Sequence, residues 1–386
     1  MGPAFLAAAA LCLALGFHPF LTYPASLRLL ARFRPRPLRP ATGGAPNAAP
    51  KTALCVCAYN EETIIAEKAE NMRAMRHAVP GLDLLVYVDA ASDRTADILS
   101  RFGDDIRVVV GEQRHGKTHG MNRLVQSTEA EYVVFSDANV MFAPDAIPRL
   151  LQPFADPAVG CVCGHLIYTD SGDNNGTAAL GSAYWRLEER IKDLESLTGS
   201  TMGADGSIFA IRRTLHRPPP PDIIDDMFVS LSILCGGHRV VRAPDALAYE
   251  RTTSRPDEEF RRKIRIACQA FNVHRLLWPR LSALPLLDRY KYVSHKLLRW
   301  FAAYFLALAG LCAAAGLAWM GEWGLLAVAV ACSVLPALGL AMQSGPIRKL
   351  ADIALAFVAT GLGVLRSLKG ERFQVWTPPS SARGGS

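Results

Sequence analysis

Ala53-Leu54-Cys55-Val56-Cys57-Ala58-Tyr59-Asn60-Glu61 is an apolar run that stops on three polar residues. The pattern recurs three times. Leu84 to Val88 stops before Asp89-Ala90-Ala91-Ser92-Asp93-Arg94-Thr95, Ile106 to Val110 before a loop holding Arg114-His115-Gly116-Lys117, and Tyr132 to Phe135 just ahead of Asp137-Ala138-Asn139. Short apolar runs of this kind read as buried strands, and the longer stretches between them, Glu62 to Ala78, Thr95 to Arg101 and His119 to Gln126, read as amphipathic helices. Strand, helix, strand at this rhythm predicts an α/β fold with a mostly parallel sheet flanked by helices. Ligands of such sheets bind beyond the carboxyl ends of the strands. The four polar ends are therefore expected to converge on one crevice. Singly, each Asp or Asn could be a helix cap or a turn residue; four at corresponding ends point to a site.

Outward from this core the chain becomes strongly apolar at both ends. Ala4 to Leu30 carries no charge before Arg28 and is long enough to cross about 30 Å of hydrocarbon. It predicts a membrane anchor over residues 1–34. A signal peptide is the rival, but no basic residue precedes the run and no small-residue cleavage site follows it. Arg28, Arg32, Arg34, Arg36 and Arg39 then come with no acid before Glu61, which places this flank and the following domain on the cytoplasmic face. Trp300 to Met320 and Leu325 to Met342 predict two antiparallel spans. Leu350 to Leu365 is shorter, contains Asp352 and has Arg or Lys on both sides. It reads as an interfacial or re-entrant helix, with a further span as the alternative. The expected layout is an anchor (1–34), a Pro/Gly/Ala linker (35–50), a cytoplasmic domain (51–295), a membrane region (296–370) and a tail (371–386), in a multi-pass protein of the inner or plasma membrane.

Composition narrows the class. With 386 residues, 50% hydrophobic and 20% charged, and a mean hydropathy of +0.15, the chain is too apolar for disorder and too charged for a pure membrane bundle. Nine cysteines, an odd number spread from Cys12 to Cys332, exclude a disulfide scaffold and read as reduced thiols. Cys55-x-Cys57 and Cys161-x-Cys163 are spaced too closely for an ordinary zinc site. From Phe260 onward 16 Lys and Arg face 4 Asp and Glu, a bias that suits anionic lipid headgroups at a membrane margin. Nucleic acid is not an expected partner, since no basic patch interleaved with aromatics and no reading helix is present. The sequon Asn175-Gly176-Thr177 would stay unmodified on the cytoplasmic side.

One motif points elsewhere. Gly111-Glu112-Gln113-Arg114-His115-Gly116-Lys117-Thr118 matches a nucleotide-binding phosphate loop letter for letter, and Tyr132 to Asp137 could pass as its magnesium-holding partner. Only 18 residues lie between Thr118 and Asp137, room for one short helix, and two strands with polar ends already precede the loop. A P-loop NTPase and a catalytically inactive membrane scaffold stand as the alternatives.

A larger set of motifs accounts for all four strand ends. Besides those already quoted, it includes Asn122, Val159-Gly160, Gly164, Gly203-Ala204-Asp205-Gly206, Asp225-Asp226 and Arg262-x-x-Arg265-Ile266. In order and spacing, from about Lys51 to Arg275, the chain resembles the family 2 inverting glycosyltransferases of GT-A fold. These include cellulose, chitin and hyaluronan synthases and ceramide glucosyltransferases. The resemblance implies a GT-A-like nucleotide-sugar-binding sheet with transmembrane helices at both ends, and a nucleotide-sugar donor, a UDP-sugar being expected. It places Tyr59, Asn60, Glu61, Asp89, Asp93, Arg114, Lys117 and Asp137 on the donor. Asp137 and Asn139 would be ligands of a divalent Mg or Mn ion, Asp226 the catalytic base, and Gly203, Asp205, Gly206, Asp225, Arg262 and Arg265 would lie on the acceptor or diphosphate side.

The chemistry suits these residue types. Displacing a nucleoside diphosphate develops negative charge on the leaving oxygen, which a cation on hard oxygen ligands offsets. Inversion calls for a carboxylate to deprotonate the attacking hydroxyl. Two arginines three apart on a helix could grip a diphosphate, a solvated basic face being the alternative. Two departures stand out. Asn139 puts a neutral amide where the family has the second carboxylate of Asp-x-Asp, and Ile266 stands where the synthases have a tryptophan that helps position the acceptor. The acceptor is expected to be a polysaccharide or a membrane lipid such as a polyprenyl phosphate or sphingolipid. Three apolar segments are few for a polymer channel, so export would call on other membrane components.

Overall fold

The computed structural model describes residues 1–39, 50–170, 176–252, 256–342 and 345–375. Most of the expected linker, Asn175 of the sequon and the tail beyond residue 375 lie outside them. Helices Gly2–Phe17 (α1) and Thr22–Phe33 (α2) lead toward the sheet. Thr52–Ala58 (β1), Ile65–Ala78 (α3), Asp83–Val88 (β2), Thr95–Ser100 (α4), Ile106–Val110 (β3), Lys117–Gln126 (α5) and Tyr132–Asp137 (β4) then alternate as the apolar runs predict. There follow Val140–Phe142 (β5), Ala146–Leu151 (α6), Val159–Asp170 (β6), Gly176–Leu197 (α7), Ile208–Arg212 (β7), Asp225–Cys235 (α8) and Arg239–Thr252 (β8).

The eight strands lie in the order β3-β2-β1-β4-β7-β6-β8-β5. The first four are parallel, which continuous apolar runs buried on both faces allow. Beyond β4 the sheet is mixed: β7 is antiparallel to β4 and β6, β6 and β8 are parallel, and β5 is antiparallel to β8. Chain order reverses at β1, whose neighbours are β2 and β4, so a crevice opens at their carboxyl ends. Register sets Cys57 of β1 beside Asp137 of β4. Leu54, Val56 and Val134 point to one face, where Met72 of α3, Leu99 of α4 and Ile147 of α6 cover them. Ala53, Cys55 and Phe135 point to the other, against Met121 of α5 and Phe228 and Leu231 of α8. The Phe135 ring stacks on Phe209 of β7 with centroids 4.6 Å apart, joining the parallel half of the sheet to the mixed half.

Five helices complete the chain: Pro256–Leu281 (α9), Leu286–Tyr292 (α10), Leu298–Met320 (α11), Trp323–Gly339 (α12) and Pro346–Leu368 (α13). A π-helical turn at Val293–Leu297 joins α10 and α11 into one 35-residue helix, Leu286–Met320. That helix and α13 are long and apolar enough to cross a membrane; α1 and α2, which meet at 58°, would add a third span if taken as one broken helix. α12 is apolar but 17 residues long. The segment expected as a short interfacial helix over 350–365 is thus part of a 23-residue helix. Its internal acid is tolerated because Asp352 pairs with Arg348 one turn earlier, at 3.1 Å. α1 packs along α11, and α13 along α9. α2 is bound to the domain: Tyr23 donates a hydrogen bond to Glu195, and buried Arg239 donates to the carbonyl oxygens of Arg36 (2.8 Å) and Gly199 (3.0 Å). All nine cysteines are free thiols.

The Phe135–Phe209 stack gives a direct test of the joint between the two half-sheets. Phe209→Ala should cost about 3–5 kcal/mol, and Phe209→Leu clearly less. Urea denaturation of the detergent-solubilised protein would measure both.

Candidate active site

A cavity of about 1810 Å³ opens at the carboxyl ends of β1, β2 and β4 and runs on between α7 and α9. Tyr59, Glu61, Asp89, Arg114, Lys117 and Asp137 line one end. Four strand ends do converge. Buried Asp89 accepts hydrogen bonds from the backbone N–H groups of His115 (2.8 Å, Oδ1) and Gly116 (2.9 Å, Oδ2) and so folds the loop after β3 onto the end of β2. The Arg114 guanidinium lies over the Tyr59 ring, 3.6 Å from its centroid.

This geometry overturns the phosphate-loop reading. Such a loop aims its amides at an anionic ligand, whereas two amides of this one face a carboxylate of the protein. Lys117 turns to Asp137, and Thr118 donates its hydroxyl to the Ile223 carbonyl at 2.8 Å.

Asn60 and Asp93, expected on the donor, do not line the cavity. Asn60, at φ 52°, accepts from the Ser92 N–H (2.8 Å), and Asp93 accepts from the N–H groups of Glu62 (3.0 Å) and Thr95 (3.0 Å). Together they pin the turn after β1 to the turn after β2. Short Asx side chains at strand ends commonly satisfy local amides in this way, and sequence spacing does not separate such a residue from a ligand-facing one. Asn122 is likewise structural, donating to the Pro219 carbonyl at 2.9 Å.

The centre of the cavity is acidic. Lys117 Nζ lies 2.6 Å from Asp137 and 3.8 Å from Asp225. α8 begins at Asp225, two residues earlier than the apolar run from Met227 suggests, so both Asp225 and Asp226 sit in its first turn where the helix dipole favours anions. Oδ2 of Asp225 is buried and accepts no hydrogen bond. Asp226 Oδ1 accepts from the Met227 N–H at 2.6 Å. A Cβ added at Gly206 would stand 2.7 Å from Asp226 Oδ2, so the glycine is what leaves the carboxylate room. Burial and the neighbouring Asp225 push the Asp226 carboxyl up to about 7, against the opposing pull of Lys117. Burial disfavours the Lys117 charge, yet Asp137, Asp225 and Asp226 outweigh it and hold the ammonium well above its ordinary pKa.

Glu250, near the end of β8, is a residue the sequence reading missed. Asn139 donates its side-chain N–H to Glu250 Oε1 at 3.0 Å, and Val140 pairs with Glu250 across β5 and β8. Burial raises the Glu250 carboxyl to about 7, Arg262 working against it and Asp137 with it. Asp137, Asn139 and Glu250, three side chains with hard oxygens, line this part of the cavity together, Asp137 being paired with Lys117. Among the described residues no group of three His, Cys, Asp or Glu side chains could hold a metal ion. Lys68 was missed too. Fully buried on α3, it donates to Ser136 Oγ (2.8 Å) and to the Val140 carbonyl, clamping both ends of the Asp137–Asn139 turn. A lone Lys in an amphipathic helix carries no sequence signal for this.

Gly203, Asp205 and Gly206 line the far wall, with Asp205 held by Lys192 (3.6 Å) and by the Ser207 N–H (3.2 Å). Arg262 and Arg265 both reach the cavity from α9; Arg262 lies 3.6 Å from Glu259, and Arg265 donates to Gln269 at 3.1 Å. Ile266, in the place of the synthase tryptophan, also lines it. Part of the expected tail forms another wall. Gln269 donates to the Phe373 carbonyl (3.0 Å), Gln374 donates to the His115 carbonyl (3.3 Å), and Arg372 pairs with Asp222 (2.6 Å), so residues 371–375 strap α9 to the loop after β3.

Comparison with known proteins identifies the family and the fold. Residues 49–269, more than half of the chain, match the model of a family described as glycosyltransferase like family 2. An N-acetylglucosaminyltransferase of Rhizobium leguminosarum bv. viciae is 24% identical over 260 residues, 63% of this chain and 60% of that protein. A poly-beta-1,6-N-acetyl-D-glucosamine synthase of Staphylococcus aureus is 23% identical over 209 residues, 51% of this chain and 49% of the synthase. The chain thus spans about half to three fifths of the length of these two relatives. A mannosyltransferase from Pyrobaculum calidifontis, solved with GDP-mannose and Mn2+, superposes with a TM-score of 0.75 over 95% of this chain and 99% of its own, at 22% identity, and so shows the GT-A fold. By its sequence match the protein is a member of the glycosyltransferase like family 2.

Proposed function

We propose that the protein is a membrane-bound inverting glycosyltransferase that passes a sugar from a nucleotide-sugar, a UDP-sugar by preference, to a polysaccharide or lipid acceptor. The observation that carries this reading is the meeting, in one cavity, of Asp89, Lys117 and Asp137 at parallel strand ends with Asp225 and Asp226 at the start of α8. Tyr59 under Arg114 offers a flat face for the nucleobase, and Asp89 stands beside it. Lys117, Arg262 and Arg265 supply positive charge for the diphosphate. Asp137, Asn139 and Glu250 would hold Mg2+ or Mn2+, which when bound offsets charge on the leaving diphosphate.

In the transfer step Asp226 takes the proton of the acceptor hydroxyl as its oxygen bonds to the sugar carbon. The bond from that carbon to the diphosphate oxygen breaks on the opposite face, and the electron pair leaves with the nucleoside diphosphate. A base with a pKa of about 7 is well matched to this task near neutral pH. Asp225 and Lys117 set its charge balance, and Gly206 keeps the approach open. α1 with α2, Leu286–Met320 and α13 would fix the domain at the cytoplasmic face of the inner or plasma membrane.

The reading is tested by nucleoside diphosphate release from UDP-glucose, UDP-N-acetylglucosamine, UDP-galactose and GDP-mannose, with Mn2+ or Mg2+ and with membrane lipid extract. Metal-dependent release from one donor is expected, and silence with all of them would sink it. Asp226→Asn should lower transfer by about 10²–10⁴-fold. The wild-type rate should climb about tenfold per pH unit below about pH 7 and level off above it, as the base ionises. Because folding raises this carboxyl, its ionisation opposes folding. Stability should therefore fall as pH rises from about 4 to about 7, and Asp226→Asn should be the more stable protein at pH 8 but not at pH 4, by thermal denaturation. Glu250→Gln should weaken Mn2+ binding by about 10-fold or more, read by Mn2+ electron paramagnetic resonance with an unchanged circular dichroism spectrum.

A further inference from the structure

Past Asp226 the cavity continues to where α7 faces the helix Leu286–Met320, and Glu188, Lys192 and Lys296 line that end. Most of its charges are matched. Glu188 pairs with His295 at 2.9 Å and with Arg299, and Lys192 meets Glu189 at 3.0 Å and Asp205 at 3.6 Å. Glu189 is paired in turn with Arg242. Lys296 differs: its partly buried ammonium makes no hydrogen bond and no ion pair within 4 Å among the described residues, and Glu188 and Glu195 act on it only from farther off, with Arg299 and Lys192 opposing them. A cation held in that state at a cavity wall invites an anion, and phosphate is the group an ammonium commonly binds as a point charge.

Position narrows the ligand. Lys296 Cε lies 3.9 Å from where a Cβ on Gly203 would stand, and the same test at Gly206 meets Asp226 Oδ2 at 2.7 Å. The ammonium and the base therefore flank one four-residue turn, whose ends lie at most about 11 Å apart along an extended chain. Lys296 also sits in the π-helical turn from which α11 continues as an apolar helix, the level at which lipid headgroups meet a membrane protein.

We propose that this end of the cavity is an acceptor subsite for a phosphate-bearing membrane lipid, with the phosphate on Lys296 and the attacking hydroxyl, across the Gly203–Gly206 turn, at Asp226. The assignment rests on the glycosyl-transfer reading and narrows its acceptor from polysaccharide or lipid to an anionic lipid. A neutral sphingolipid or an uncharged glycan end would leave Lys296 with no direct counter-ion, only the longer-range pull of Glu188 and Glu195.

The test separates the membrane lipid extract on an anion-exchange resin into neutral and acidic fractions and follows nucleoside diphosphate release with each. Stimulation by the acidic fraction alone is expected; stimulation by the neutral fraction alone overturns the assignment. Lys296→Met should raise KM for the acidic fraction at least tenfold with donor KM unmoved, and Lys296→Arg should recover most of the loss. An unchanged acceptor KM in a folded Lys296→Met protein overturns it. Should that variant not fold, wild-type protein decides: dodecyl phosphate should compete with the acceptor, while dodecyl maltoside and inorganic phosphate should not. Equal competition by inorganic phosphate would assign the site to free phosphate and overturn the lipid assignment. No release from any donor with either fraction would instead remove the transferase reading itself.

Discussion

The ammonium of Lys117 holds this site together. Three carboxylates, those of Asp137, Asp225 and Asp226, come from a strand end and a helix start that are distant in sequence, and each would repel the others in a cavity shielded from water. Lys117 stands between them because α5 begins directly after Gly116, and Gly116 is fixed by Asp89. The chain of dependence therefore runs from the end of β2, through a loop folded onto a carboxylate, to a lysine that lets acids gather. One positive charge against three negative ones leaves an excess that raises Asp226 and suits a divalent cation.

How far this was legible in the sequence follows from which forces are local. The parallel half of the sheet shows in the sequence because strands buried on both faces must be apolar throughout and must stop where the crevice begins. Tyr59, Asp89, Lys117 and Asp137 could be read from those stopping points. The mixed half was less visible, since β5 is three residues long and β7 reverses direction without a hairpin to announce it. Asn60 and Asp93 looked like ligands because an Asx side chain that ties two turns has the same spacing as one that faces a substrate.

The residues that escaped notice share a different trait: each acts across the fold. Glu250 meets Asn139 only because β8 runs beside β5, and Lys68 reaches Ser136 and Val140 only through the packing of α3 on the sheet. Burying that lysine is costly, and only the longer-range pull of Asp137 offsets it. It lies under the Asp137–Asn139 turn and ties both of its ends. The phosphate-loop match failed for the same reason. Its letters are local, but what its amides face is decided by Asp89, which lies before the loop on another strand.

The strap formed by residues 371–375 has a consequence for how the sequence can change. Gly116, at φ +87°, would bring a Cβ to within 2.1 Å of the Gln374 carbonyl oxygen. Positions 116 and 374 are thus two halves of one fitted joint, although most of the α/β domain and the apolar helices separate them along the chain. A homologue that replaces the glycine has to reroute its C-terminal segment in the same lineage, and one that loses the segment is freed of this clash, though the positive φ still favours glycine. Covariation between a loop after the third strand and the end of the chain is the mark that this contact would leave in descent.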